Sequence, residues 1–475
     1  MAGVSAIAVT LMSAAGLDAQ QNLLPGRLTG SVVSRANPAQ RYAVYLPTSF
    51  KPNTPAPVLF IMDYRGRARV AADVFRPAAE KYGWILMSSN DTSSDEAAGP
   101  SLEALKAMWT DAHDLFNVDP RRLYLAGLSG TARTATWIAT EIKGTVAGVI
   151  GASAGLSPLL SPSADLPFAY FGTAGDADYN YWEMRLLERR LSELGVPHRM
   201  EYFSGVHGWM PTSLAMSAIG WMELRAMRTG LRPPDARLIE ELWWQDQLSA
   251  EMLEESGRSA AASRRRRAML RDYEGLRPAG DLAGLRQRDA ALNAEPWLPE
   301  ALAAEEAAAA AHKKRIDESM QIIARAYPKR SGKLATSVQA TLDELRVPEL
   351  LAAASGRDQA MALDAKRILA ELDVQTGFYL PQESMQEQDD ARAGFYLDLA
   401  KAINPEDPFA WFLRARVSAR ADQATETMEN LARAVKLGFR TLDALETDHV
   451  FDSLRTRADF RALVDIVRAA WDAAR

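Results

Sequence analysis

Cysteine is absent from the 475 residues, which excludes disulfides, thiolate metal sites and a cysteine nucleophile. That absence suits the cytosol and the periplasm alike and does not choose between them. An excess of positive charge is missing too: 55 Lys and Arg stand against 61 Asp and Glu, a net charge of -6. Non-specific nucleic-acid binding needs clustered positive charge, so nucleic acid is not expected as a partner. The one basic run, Arg264 to Arg267, falls in a helical stretch of mixed charge and is expected to be a solvated helix face. Beyond the N-terminus no unbroken apolar run reaches about 18 residues, so no membrane span is expected after processing. Histidine is scarce, with five in the chain, and a search for a general base is correspondingly short.

What is present is a hydrophobic content of 48% in a chain long enough for two or three domains. The run AGVSAIAVTLMSAAGLDA ends in Leu17-Asp18-Ala19 and resembles a secretory h-region with cleavage near Ala19, although no Lys or Arg precedes Arg27. It predicts a signal peptide over 1–19 and a secreted or periplasmic protein. Further on, apolar segments alternate with helical spacing. Strands are expected at 41–46, 57–62, 84–88, 123–126, 146–150, 168–173 and 200–203, with helices at 70–82, 101–116, 131–142, 181–194 and 212–227. Ser101 is the expected N-cap of the second helix, and Asp119-Pro120 a turn into the next strand. Strands joined by helical crossovers predict an α/β fold with a mostly parallel sheet over 20–230.

Pro233-Pro234 marks a change of pattern. From 235 to 475 strand signals almost vanish, and Ala, Leu, Glu and Arg dominate, which predicts an all-α C-terminal region. From Asn404 the chain reads as two helices joined at Ala421-Asp422, with Ala415, Leu431, Ala434 and Val435 placed for close packing. With Trp411 near its start, this pair resembles a tetratricopeptide-type hairpin, at about 395–475. Such a tail is a candidate surface for a protein or peptide partner. A helical appendage of no special type is the alternative.

The chemistry centres on LYLAGLSGTARTATWIATEI, residues 123–142. A short apolar strand runs into Gly127-Leu128-Ser129-Gly130 and then a helix, the order a nucleophile elbow requires. Gly127 and Gly130 supply the small neighbours. With Thr131 at its last position this stretch meets the G-x-S-x-G pattern incompletely, whereas Gly151-Ala152-Ser153-Ala154-Gly155 meets it fully but is followed by a proline- and serine-rich loop instead of a helix, so Ser129 is preferred to Ser153 as nucleophile. A serine needs a base to take its proton and a carboxylate to orient that base, in the chain order Ser, Asp, His. His207 lies in the glycine-flanked loop after the last strand. His113 lies upstream of the serine, His198 precedes a strand, and His312 and His449 fall in the tail. Asp178 and Asp176 both follow the preceding strand. Asp178 is preferred as the orienting acid, and Asp176 is suited to capping the turn. The backbone N–H of Gly130 is one candidate oxyanion donor, and that of Tyr64 or Arg65, after strand 57–62, the other. No metal site and no cofactor are expected. A histidine base predicts activity that falls as the imidazole becomes protonated.

These features, the GLSG elbow preceded by DPRRLYLA, the DADYNYWEM stretch and the GVHGW loop, resemble the α/β-hydrolase superfamily. Within it the likeness is to secreted bacterial esterases of the feruloyl-esterase and polyhydroxybutyrate-depolymerase type, over about residues 35–230. The resemblance implies Ser129 as nucleophile, Asp178 as acid and His207 as base, acting on a small-molecule or polymer-linked ester. A serine peptidase would share this triad, and a catalytically weak domain that binds partners through its tail is a further alternative. Thr131 stands where relatives carry glycine, which predicts a crowded turn. Asp63-Tyr64 stands where many carry His-Gly, which predicts a reshaped oxyanion hole.

Overall fold

In the computed structural model, residues 23–94, 99–329 and 333–473 are described. The expected leader at 1–19 lies outside them. Eight strands form one sheet: β1 (Leu28–Val33), β2 (Arg41–Tyr45), β3 (Ala56–Met62), β4 (Ile85–Ser89), β5 (Val118–Leu128), β6 (Gly148–Ala152), β7 (Ala169–Gly175) and β8 (His198–Phe203). Their spatial order is β1-β2-β4-β3-β5-β6-β7-β8. β2 runs antiparallel to β1 and β4, and all other neighbours are parallel. This is an α/β-hydrolase fold, followed by an all-helical C-terminal region.

The sheet is covered on both faces by α1 (Ala68–Tyr82), α2 (Gly99–Leu115), α3 (Gly130–Glu141), α4 (Tyr181–Glu193) and α5 (Thr212–Arg228). All seven residues of β3 are buried, as a continuous apolar run predicts for a central parallel strand. Val58, Phe60 and Met62 face α2, α3 and α4, while Leu59 and Ile61 face α1 and α5. That alternation follows from the two-residue period of a strand.

Two local expectations are corrected, and one strand was not expected. β1 carries no strong strand pattern, yet it pairs with β2 at the sheet edge. Helix α2 begins by Gly99, so Ser101 lies inside it, where its buried hydroxyl donates to the Ser93 carbonyl at 2.9 Å. The Asp119-Pro120 segment is absorbed into β5 as an irregularity, with register against β3 jumping from Ala56↔Val118 to Val58↔Leu123.

From Ala236 to Ala473 every described element is helical. The helices Pro408–Arg420 and Ala424–Lys436 pack together, with Ala415, Leu431, Ala434 and Val435 buried in one cluster. No helix among the described residues is long and apolar enough to cross a membrane.

The basic run is not a solvated face. It lies on α7 (Ser259–Asp272), beside α6 (Ala236–Glu255), and it fastens these helices to the sheet. Arg265 pairs with Glu201 of β8 and, at 3.0 Å, with Asp246 of α6. Arg199 of β8 reaches Asp246 at 2.8 Å and Asp272 at 2.8 Å. Arg264 pairs with Glu305, Arg266 with Glu254 and Arg267 with Asp289. Burial alone would push the Asp246 carboxyl up, but the Arg199 and Arg265 guanidiniums hold it below its ordinary value. Local charge mixing does not disclose counter-charges that arrive from another segment.

Candidate active site

The parallel strands deliver their C-terminal ends to one edge of the sheet, and the expected site residues gather there. Ser129 sits between β5 and α3 with φ 59° and ψ -127°, a conformation that costs an L-residue energy and persists only where the surroundings enforce it. A Cβ on Gly127 would stand 2.4 Å from the Thr131 carbonyl oxygen, and one on Gly130 would stand 2.4 Å from the Ser94 Cβ. Both positions therefore require glycine. Thr131 does not crowd the corner. Its buried hydroxyl accepts the Leu128 N–H at 3.1 Å and donates to the Met62 carbonyl at 2.6 Å, tying the corner to the end of β3.

Asp178 follows β7 and is fully buried. Its Oδ1 accepts from His207 Nδ1 at 2.9 Å and from the Asn180 N–H at 2.8 Å. Asp176 instead accepts the Gly205 N–H at 3.1 Å, a turn contact away from the imidazole. Of the two carboxylates, only Asp178 is hydrogen-bonded to His207 among the described residues. The other histidines lie elsewhere: His113 Nδ1 meets its own helix at the Trp109 carbonyl, and His198 Nδ1 meets the Val196 carbonyl. His312 and His449 lie beside Asp364 and Asp452 in the tail.

Ser153 also has a positive φ, 55°, so backbone strain does not separate it from Ser129. Its hydroxyl does. Fully buried, Ser153 Oγ donates to the Gly208 carbonyl at 2.9 Å and accepts the Gly208 N–H at 3.1 Å. Its own carbonyl accepts from Asn180 Nδ2 at 2.7 Å. Ser153 thus joins the Asp178 loop to the His207 loop and has no proton to offer a substrate.

The loop after β3 is organised by Asp63. Its carboxylate takes the Arg65 N–H at 2.9 Å, the Arg67 guanidinium through Nε at 2.9 Å, and the Trp209 indole N–H at 2.8 Å. Burial pushes this carboxyl up, but Arg67, Arg65 and Trp209 outweigh it and leave it below its ordinary value. The Arg65 N–H is thereby engaged. Among the described residues the N–H groups of Tyr64 and Gly130 have no hydrogen-bond partner. Both lie at the edge that carries Ser129.

Sequence reasoning did not single out Tyr179. Its ring stacks on His207 with centroids 4.2 Å apart and planes within 17°. Its hydroxyl lies 3.1 Å from Nε2. Near-parallel rings put that hydroxyl above the imidazole plane, so it does not engage the in-plane lone pair of Nε2. Burial pushes the Tyr179 phenol up, and contact with the Ser129 hydroxyl pulls it partly back. The Tyr179 hydroxyl is thus beside His207 Nε2, with the Ser129 hydroxyl among the groups that act on it. Only the aromatic run Tyr179-Asn180-Tyr181-Trp182 beside Asp178 could have signalled it. Among the described residues no three His, Cys, Asp or Glu side chains converge to hold a metal ion.

Several solved structures are similar to the N-terminal part of this chain. An S-formylglutathione hydrolase from Staphylococcus aureus shares 16% identity over 42% of this chain and 98% of its own, with a TM-score of 0.34. A ferulic acid esterase shares 17% over 41% of this chain and 97% of its own, with a TM-score of 0.33. Est1E from Butyrivibrio proteoclasticus shares 13% over 42% of this chain and 100% of its own, also at 0.33. At these scores the likeness carries no argument about chemistry, which rests on the site itself. No family model matches the chain, and no curated protein matches it.

Proposed function

We propose that the chain is a serine hydrolase that cleaves carboxylic esters through an acyl-enzyme. The observation that carries this reading is the pairing of buried Asp178 with His207 at the sheet edge where Ser129 occupies a strained strand-to-helix corner. Asp178 orients the imidazole through Nδ1, which leaves Nε2 to accept the Ser129 proton as Oγ bonds to the acyl carbon. The N–H groups of Gly130 and Tyr64 stabilise the oxyanion. Collapse of the adduct breaks the bond to the alcohol oxygen, which leaves with the proton returned by Nε2. Water, activated by the same nitrogen, then releases the acid and restores Ser129. The reaction needs no cofactor. The leader expected at 1–19 points to action outside the cytosol, and the helix pair Pro408–Arg420 and Ala424–Lys436 is read as tetratricopeptide-like.

Labelling by a fluorophosphonate tests the reading, because such a probe phosphonylates only an activated serine. We expect the wild-type chain to label, Ser129→Ala to lose the label, and Ser153→Ala to retain it. Label lost from Ser153→Ala and kept in Ser129→Ala would transfer the nucleophile to Ser153. No labelling of folded wild type would remove the enzyme reading altogether.

A further inference from the structure

We propose that the helical C-terminal region is the roof of the catalytic cleft, and that it restricts the enzyme to small soluble esters, excluding polymer-borne ones. This rests on the serine-hydrolase reading above. The helix Gln359–Val374 lies along the acid loop. Buried Arg367 donates through Nε to the Asp176 carbonyl at 2.6 Å, and its guanidinium lies 4.0 Å from the Tyr181 ring centroid. The helix Pro408–Arg420 reaches the opposite side, where Phe409 receives the Arg65 guanidinium at 5.0 Å from its ring centroid. Asp176 is two residues from the proposed acid, and Arg65 adjoins the open Tyr64 N–H. The tail therefore touches the protein on both sides of Ser129.

Between these two contacts the tail also approaches the centre of the site. Burial pushes the Glu371 carboxyl above its ordinary value, the charge of Asp178 adds to that rise, and Glu371 in turn raises the Tyr179 phenol. Tyr379, on the π-helical turn that follows, acts on both Tyr179 and Arg133. Arg133 stands four residues past the nucleophile on α3, paired with Glu183 at 2.6 Å. Glu371 is partly buried, and both it and Tyr379 belong to the tail. A chain threading across Ser129 would have to displace one contact or the other, whereas a short ester would not.

Two fluorophosphonates with the same reactive head separate the possibilities, one with a short alkyl chain and one carrying a bulky polymeric linker. On the full chain we expect the short probe to label Ser129 at least about tenfold faster, as expected where a cover limits access. Arg367→Ala combined with Phe409→Ala should narrow that ratio towards one while leaving the short-probe rate unchanged. If that pair fails to fold, Tyr379→Ala, at a half-exposed position, should narrow the ratio in the same direction. Equal rates of the two probes on wild type, or a ratio untouched by folded variants, would overturn the roof and leave the hydrolase reading standing. Absence of Ser129-dependent labelling by the short probe would overturn both.

Discussion

Ser153 shows why a motif at residue scale needs its surroundings. Two serines follow adjacent strands with nearly equal positive φ, and the full glycine pattern belongs to Ser153. One hydroxyl is consumed by both backbone groups of Gly208, next to His207, while the other acts on the Tyr179 phenol. Removing the first should loosen the histidine loop without touching the nucleophile. We expect Ser153→Ala to slow fluorophosphonate labelling of Ser129 about tenfold, since small displacements of a catalytic group are costly. The same variant should lower stability by about 1–3 kcal/mol for the stranded Gly208 groups. An unchanged labelling rate would deny Ser153 its positioning role. The histidine and the acid could be ordered from the sequence because strand ends are readable. Tyr179 could not, because nothing local tells which aromatic ring will lie over an imidazole 28 residues away.

At the scale of elements, periodicity located the central strands and their crossover helices, because burial on both faces imposes an unmistakable apolar run. The edge strand β1 was not legible, since half-buried positions leave a weak pattern. In the tail, the end of helix Gln359–Val374 holds a carboxyl with an unusual charge state. Burial pushes Asp373 up to about 7, against the hydrogen bond from Asn404 and aided by nearby Asp407. An aspartate in the unfolded chain titrates near 3.8. Between these values the folded chain holds a proton that the unfolded chain has released. Stability from this group therefore declines as pH rises from about 4 to about 7, and the full cost is present above that range. Asp373→Asn keeps the acceptor for Asn404 and removes the charge. Its melting temperature should exceed wild type at pH 8, with the gain fading towards pH 4. A gain independent of pH would show that Asp373 is ionised throughout.

At the scale of the whole molecule, the helical region is welded to the sheet by buried ion pairs at β8 and braced against the loops around Ser129. A tail built this way does not resemble a tethered binding module. Arg199→Ala would leave Asp246 and Asp272 as buried carboxylates without their main partner, at a cost of about 3–5 kcal/mol. Calorimetry should show one cooperative transition in wild type and a lower, broadened or divided one in the variant. An undiminished transition would mean that the pairs merely accompany the packing.

The order Ser129, Asp178, His207 and the parallel architecture that carries it were determined by the sequence, because glycine corners, strand ends and chain order are local properties. Tertiary structure alone decided which carboxylate meets the imidazole, which loop N–H remains open, and that Thr131 ties the corner to β3 instead of crowding it. It also decided that Arg264 to Arg267 are paired and that the tail meets the loops after β3 and β7. Each of these depends on contacts between segments far apart in the chain, and such contacts leave no trace in the spacing of either segment.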